Sequence, residues 1–161
     1  MSYTKTIVTN IRDAIAAGSS VVGSAKSELI WLLPPQMLGY GVQFGLTDKS
    51  KELIRKGGRV RGITHISKPY LDPVRALLDI GEDVRHVNEY RGEFMLVADN
   101  RESISSIPQQ NVDAERLSLD DTVIGFWTDD PSYAKFLVTI FETSWKDAVD
   151  GSTRMRALEV P

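Results

Sequence analysis

A histidine and a lysine lie close together where an α/β protein would hold a ligand. His65 and Lys68 occur in the segment ITHISKPY, directly after a short apolar run that is typical of a β-strand. Ligands of α/β sheets collect at strand ends, and an imidazole beside an ammonium group suits an anion. The alternative, which the two residues alone favour, is a solvated Lys68 and a His65 that only caps a loop.

The predicted ligand site combines these two residues with others that follow or end predicted strands. It has six members: His65, Lys68, Asn88, Arg91, Trp127 and Thr128. They supply cations for an anion, an indole for a flat or apolar surface, and an amide for orientation. We expect the side chains to line one concavity. No catalytic residue is predicted.

Other motifs carry little chemistry. GYGVQFG at 39–45 lacks the Lys-Ser/Thr of a phosphate-binding loop, so it predicts a flexible connection before a helix near Thr47. His86 lies within a predicted strand, where we expect it to be half exposed and structural. Two histidines without carboxylates at ligand spacing make a poor metal site, and the sequence contains no cysteine. We therefore expect neither a metal nor another cofactor.

Composition predicts one globular domain. The chain has 161 residues, 42% hydrophobic and 25% charged, with a net charge of −3 spread along its length. This pattern gives no footprint for direct nucleic-acid binding. No apolar run approaches the roughly 18 residues of a membrane span, and the first residues lack the layout of a signal peptide. We expect a cytoplasmic protein without a membrane partner.

Helical and strand patterns alternate along the chain. The predicted elements are a helix over 4–17, a short helical stretch over 20–25, a strand over 28–33, a helix that ends at Gly57-Gly58, a strand over 59–64, a helix from Asp72-Pro73 to Gly81, strands over 83–87, 93–98, 103–107 and 122–127, and a helix from Asp130-Pro131. This order predicts an α/β fold, a layered mixed β-sheet flanked by helices.

Three segments are expected. Residues 1–27 are an N-terminal helical segment that leads into the domain, and 28–150 are the α/β domain itself. Residues 151–161 are a C-terminal tail, which we interpret as a connector to a domain outside this sequence.

The segments EFMLVADNRESISSIP and TVIGFWTDDPSYAKFLVTIFETSW carry a resemblance to a known family. They resemble one half of the phospholipase D superfamily, and more narrowly the phospholipase D-like domain of TrmB-type archaeal regulators and related sensors. Weaker similarity extends over most of 25–148, and the order of the motifs carries it more than any single motif. The resemblance implies a phospholipase D-like half domain.

The catalytic members of that superfamily have the motif H-x-K-x-x-x-x-D, in which the histidine attacks phosphorus and the lysine holds phosphate oxygens. Aligning its Asp with Asp99 puts Gly92 at the histidine position and Phe94 at the lysine position. A shift by one residue puts Arg91 and Glu93 there instead. Neither register supplies a nucleophile, because glycine has no side chain and arginine stays protonated.

A retained fold without its catalytic residues predicts a non-catalytic sensor domain of a signalling or transcription-regulatory protein. Such a domain binds a ligand and dimerises. The expected ligand is an unknown small molecule. The cations of the predicted site favour an anionic one. We expect a homodimer, because single-half members pair two halves about a two-fold axis, with the interface near Arg91 and Asp99. The alternative is a phosphodiesterase or nuclease that uses His65 and Lys68 as a displaced site; a pure dimerisation module is a third.

Overall fold

The structure is a computed structural model that describes residues 1–89, 94–107 and 117–160. Its strands are β1 (Thr4–Asn10), β2 (Glu28–Leu32), β3 (Arg59–Thr64), β4 (Asp83–His86), β5 (Met95–Ala98), β6 (Glu102–Ser106), β7 (Thr122–Thr128) and β8 (Val149–Asp150). Its helices are α1 (Ile11–Ser24), α2 (Pro35–Gln43), α3 (Leu46–Arg55), α4 (Leu71–Asp79), α5 (Pro131–Asp147) and α6 (Gly151–Glu159), with a 3₁₀ turn over Lys68–Tyr70.

The strands form one mixed sheet in the order β1-β7-β6-β5-β2-β3-β4-β8. Strands β2, β3 and β4 are parallel neighbours, joined through α2, α3 and α4, and the remaining pairs are antiparallel. We call the edge at which β2, β3 and β4 end the carboxyl edge. The predicted α/β fold with a layered mixed sheet is confirmed.

The two faces of the sheet are covered unequally. Helices α1 to α4 and α6 pack on one face, where the buried side chains include Val22, Leu38, Leu53 and Met155. On the other face, α5 packs Ala134, Leu137, Phe141 and Trp145 against apolar residues of β2, β3 and β5. The apolar residues that recur every four positions in this helix thus form its buried face, whereas Phe136 and Ile140, which were expected beside them, are exposed. Asp130 caps this helix as predicted, since its side chain accepts a hydrogen bond from the Ser132 amide.

The N-terminal helix predicted over 4–17 is wrong in its first half. Residues 4–10 are strand β1, which pairs antiparallel with β7 from Thr4↔Thr128 to Asn10↔Thr122. The helix begins only at Ile11, where the Asn10 side chain accepts a hydrogen bond from the Asp13 amide. The helix does not end near Gly18 but continues to Ser24. Gly18 lies against the sheet. A Cβ there would be 2.9 Å from Leu96 Cδ1, so the glycine serves close packing and not termination.

Three further predictions need correction. The segment GYGVQFG is not a flexible connection: its first five residues belong to α2, and Gly45, with φ 81°, makes the left-handed turn into α3. Asp72 lies inside the first turn of α4 and is not its cap, because the turn over Lys68–Tyr70 runs directly into the helix. Residues 151–159, expected as a tail, form α6.

The C-terminal helix belongs to the folded domain. Met155 on α6 is 6% exposed and lies in the core with Val84 and Val74. Gly151 begins the helix directly above β4, where a Cβ would lie 2.4 Å from the Val84 carbonyl oxygen. In the described ranges, no helix combines the length and the apolar character that a membrane crossing requires.

Candidate functional site

A cavity of about 100 Å³ lies between the sheet and helices α1, α2 and α3. Its walls are mainly apolar, among them the side chains of Ile15, Leu29, Met37, Leu38 and Leu96. Two helical glycines, Gly18 and Gly41, also face it. Well-packed interiors rarely leave voids much larger than a water molecule. An enclosed apolar cavity of about 150 Å³ binds benzene, so this smaller cavity, which is partly open to solvent, suits a compact apolar group.

Glu82 and Trp31 both line the cavity, and the place where they meet is called its polar end. The chain leaves α4 through Gly81, whose φ of 102° lets the Glu82 amide donate to the Leu77 carbonyl and turns the carboxyl group inward. Trp31 reaches it from β2 across Gly62, and its Nε1 donates a hydrogen bond of 2.7 Å to Glu82 Oε1. Burial raises the pKa of Glu82 to about 7, although the bond from Trp31 acts in the opposite direction.

This carboxyl group predicts a pH dependence of stability. The folded pKa of about 7 lies above the ordinary value of 4.5, so both states hold the proton below pH 4.5 and the contribution of Glu82 to stability is largest there. This contribution then falls as pH rises through the folded pKa, by about 3 kcal/mol in total. Urea unfolding of wild type and Glu82→Gln at several pH values checks this. The titrations of all other groups cancel in the difference between the two free energies of unfolding. A difference between the two that stays constant with pH would contradict the burial of an ionisable Glu82.

Phe94 lines the same cavity, directly before β5. Its backbone is fixed to β6, because its amide donates to Ser106 Oγ at 2.9 Å and its carbonyl accepts from the Ser106 amide. In the register that aligns Asp99 with the superfamily motif, position 94 would hold the phosphate-binding lysine. Here the position contributes an aromatic ring to an apolar wall.

Asp99 has a structural role at the opposite edge of the sheet. It follows β5 in the left-handed conformation, with φ 55°, and its carboxylate accepts hydrogen bonds of 2.9 Å from the amides of Lys26, Ser27 and Glu28. Burial, the largest single influence, raises its pKa, but these bonds together outweigh it and lower the pKa. The carboxylate thus fixes the start of β2, and its place in a dimer interface stays a prediction.

Three of the residues singled out in the sequence meet at the carboxyl edge, at the ends of β3 and β4. The rings of His65 and His86 are 5.0 Å apart, and His65 Nδ1 donates 2.9 Å to the Val87 carbonyl. His86 is 2% exposed and not half exposed as expected. Its Nδ1 accepts from the Ile66 amide, so its Nε2 carries the proton and donates to Asn88 Oδ1 at 3.0 Å. Burial is the main reason for its lowered pKa.

The other predicted site residues are not gathered there. Lys68 is exposed on the 3₁₀ turn that follows His65. Trp127 and Thr128 end β7, which runs opposite to β3, so they lie at the edge where β3 begins. There Trp127 Nε1 donates to Glu102 at 2.9 Å. Arg91 lies outside the described residues. Thus the described members do not line a single concavity; the ligand-binding role of each stays a prediction.

Sequence reasoning missed the cavity and its polar end. Trp31 and Glu82 are 51 residues apart in the chain, and Phe94 belongs to neither segment. The available signal was Gly62 inside a predicted strand, because a glycine there often marks the close approach of another group.

No family model matches the sequence, and neither does any curated protein. Several solved structures share its fold. Nuc from Salmonella typhimurium, a phospholipase D family member, matches with a TM-score of 0.70 and 10% identity, over 93% of this chain and 98% of that chain. NucT from Helicobacter pylori matches with a TM-score of 0.66 and 12% identity, over 93% and 99% of the two chains.

TrmBL2, an archaeal chromatin protein described with a novel mode of DNA binding, matches with a TM-score of 0.68 and 13% identity. The match covers 91% of this chain and 54% of TrmBL2, so this chain spans about half of that protein. Identities this low carry the fold and not the function. The chain therefore has a phospholipase D-like α/β fold, with structural similarity both to phospholipase D family members and to an archaeal chromatin protein.

Proposed function

We propose that the protein is a non-catalytic ligand-binding domain of a regulatory or signalling protein, and that its ligand is a small, largely apolar molecule held in the cavity. The observation that carries the proposal is this cavity of about 100 Å³ beneath Phe94. An aromatic ring stands where the superfamily motif would place a phosphate-binding lysine. Such a wall favours an apolar ligand, since a phosphate brought into it would lose its hydration without a compensating cation.

The residues present also argue against a phosphodiesterase. Gly92 and Phe94 supply neither nucleophile nor cation in the first register, and the shifted register offers an arginine and a glutamate. For the displaced site, both nitrogens of His86 are bonded, and buried imidazole resists protonation. His65 keeps only Nε2 for chemistry, because Nδ1 is held by the Val87 carbonyl. A lone histidine beside an exposed Lys68 is a weak basis for phosphoryl transfer.

We expect the purified protein to leave a generic phosphodiester intact, with Nuc assayed in parallel as the reference for the fold. Hydrolysis that disappears in His65→Ala would overturn the non-catalytic proposal. Hydrolysis that persists in His65→Ala and elutes with the protein on a sizing column would overturn it as well, whereas hydrolysis that separates from the protein comes from a contaminating enzyme.

Binding is tested by thermal shift with a set of small apolar compounds. A ligand at ten times its Kd stabilises the folded state by about 1.4 kcal/mol, which raises the melting temperature by about 3–6 °C for a domain of this size. Gly41→Leu adds a side chain at a residue that lines the cavity and should abolish the shift. Gly39→Leu is the matched control, since it lies on the same helix and a Cβ there meets nothing within 4 Å. A shift that survives in Gly41→Leu would place the ligand elsewhere.

Three residues of the polar site predicted from the sequence remain part of the proposal. His65, Lys68 and Asn88 are proposed as contacts for an anionic group at the carboxyl edge, outside the cavity lining. NMR titration with inorganic phosphate tests them, and amide shifts at these three residues that Lys68→Ala removes are the expected result. Unchanged amides would leave the cavity as the sole proposed ligand site.

A homodimer in the cytoplasm, without direct DNA binding, completes the proposal. The resemblance to a half domain and the prevalence of two-fold dimers support the dimer, and the net charge of −3 argues against an electrostatic DNA site. Light scattering at roughly tens of micromolar, a concentration suited to an interface of ordinary size, should give twice the chain mass. A mass of one chain would contradict the dimer, and a gel shift with duplex DNA would contradict the absence of DNA binding.

A further inference from the structure

The polar end of the cavity contains an acid without a cation. Among the described residues that line the cavity, Glu82 is the one ionisable side chain. It is 4% exposed. Within the described part of the chain, its carboxyl group accepts one hydrogen bond from a side chain, at Oε1 from Trp31. Among the described residues, no ion pair involves this carboxyl group.

An acid in this position costs stability when it is charged. Burial raises the pKa of Glu82 to about 7, which measures how poorly the surroundings accept its charge. The single bond from Trp31 leaves most of the acceptor capacity of a carboxylate unused, since two oxygens can accept about four hydrogen bonds. A stability-driven core would place an apolar side chain or a paired acid here. The unpaired acid therefore points to a partner that comes from outside the chain.

The shape of the site limits that partner. The apolar walls accept a compact hydrocarbon body, and Glu82 accepts a donor at one end of it. A cation is favoured over a neutral donor, because a charge-assisted hydrogen bond is roughly twice as strong as a neutral one.

We propose that the cavity binds a small primary amine with an apolar body, whose ammonium group donates hydrogen bonds to Glu82 while the body lies against the side chains under Phe94. This inference rests on the proposed ligand-binding function, because it names the chemical class of the ligand of the same cavity. The partner charge, and not the hydrocarbon body alone, then sets specificity.

Three probes of nearly the same shape test the ammonium group: benzylamine, benzyl alcohol and toluene. Calorimetric titration at about pH 8 keeps the amine protonated and Glu82 ionised. We expect benzylamine to bind wild type at least tenfold more tightly than benzyl alcohol. In Glu82→Gln, whose amide oxygen can still accept from Trp31, benzylamine should lose about tenfold and toluene should change less than twofold.

The outcomes separate the two proposals. The ligand-binding function stands if toluene binds and if Gly41→Leu, but not Gly39→Leu, abolishes that binding. The amine proposal is nevertheless wrong if benzylamine binds no more tightly than benzyl alcohol, or if Glu82→Gln leaves the affinity for benzylamine unchanged. If none of the three binds wild type, both proposals fail. If Glu82→Gln misfolds, the NMR resonance of the Trp31 indole N–H is followed in the wild-type protein instead. A shift that benzylamine produces and toluene does not supports the amine proposal, and equal shifts overturn it.

Discussion

Gly62→Ala is expected to lower the free energy of unfolding by about 3 kcal/mol, the combined cost of overpacking and of a lost buried hydrogen bond. Gly62 on β3 lies directly beside Trp31 on β2, and a Cβ there would come within 1.9 Å of the indole atom Cε2. The indole is 3% exposed, so an added methyl group at Gly62 must displace buried atoms. Displacement of the indole would also remove the one side-chain hydrogen bond that Glu82 accepts within the described chain.

Urea unfolding measures this effect, with Gly39→Ala as the control. Gly39 lies on a helix, a Cβ there meets nothing within 4 Å, and alanine favours helix over glycine. The control should therefore be slightly more stable than wild type. If Gly62→Ala unfolds at the same urea concentration as wild type, Trp31 does not lie over Gly62, and the description of the polar end of the cavity is wrong.

Arg61→Ala is expected to cost about 3 kcal/mol, because it removes two hydrogen bonds between charged groups, each worth about 1.5 kcal/mol or more. The Arg61 side chain is 8% exposed, and its Nη2 donates to Glu28 at 2.8 Å and to Glu142 at 2.5 Å. The guanidinium carbon also lies 5.2 Å from the ring centre of Phe141 and 5.3 Å from that of Trp145. Burial is the largest influence on its pKa and would lower it, but the bonds to Glu142 and Glu28 outweigh burial and raise it.

The network therefore joins β2, β3 and α5, the helix that covers the second face of the sheet. Arg55→Ala is the control, because Arg55 forms an ion pair of 2.8 Å with Glu52 on the surface of α3, where the two side chains are 68% and 48% exposed. Surface pairs of this kind contribute little, so the midpoint should hardly move. Equal effects of the two substitutions would mean that the Arg61 network does not hold α5 on the sheet.

Much of the fold follows from local sequence signals. The apolar runs of β2 and β3, the glycines after α3 and α4, and the Asp130-Pro131 start of α5 each agree with a general local rule. The first strand does not. Ile7 and Ile11 have helical spacing, and the segment before Ile11 becomes a strand only because its backbone pairs with β7, more than 100 residues later in the chain by the Thr4↔Thr128 register. Tertiary pairing overrides a local period there.

The candidate site was harder to predict, because its parts meet only through the sheet order. Trp31 and Glu82 come together because β2, β3 and β4 are parallel neighbours. Trp127 and Thr128 were expected beside His65 because each ends a strand, but the direction of β7 sets them at the other edge. Strand direction is a property of the chain path, and residue types carry no record of it.

The most direct test of the central claim is an NMR titration of the protein with toluene. If the cavity is the ligand site, the amide resonances of its lining residues, such as Leu38 and Leu96, shift in wild type and in Gly39→Leu and stay unchanged in Gly41→Leu. Amides at the outer surface of α5, such as those of Phe136 and Ile140, should not respond. Saturable shifts confined to the cavity, removed by the Gly41 variant alone, are the predicted result. The absence of any cavity shift in wild type, or shifts that persist in Gly41→Leu, would contradict the account.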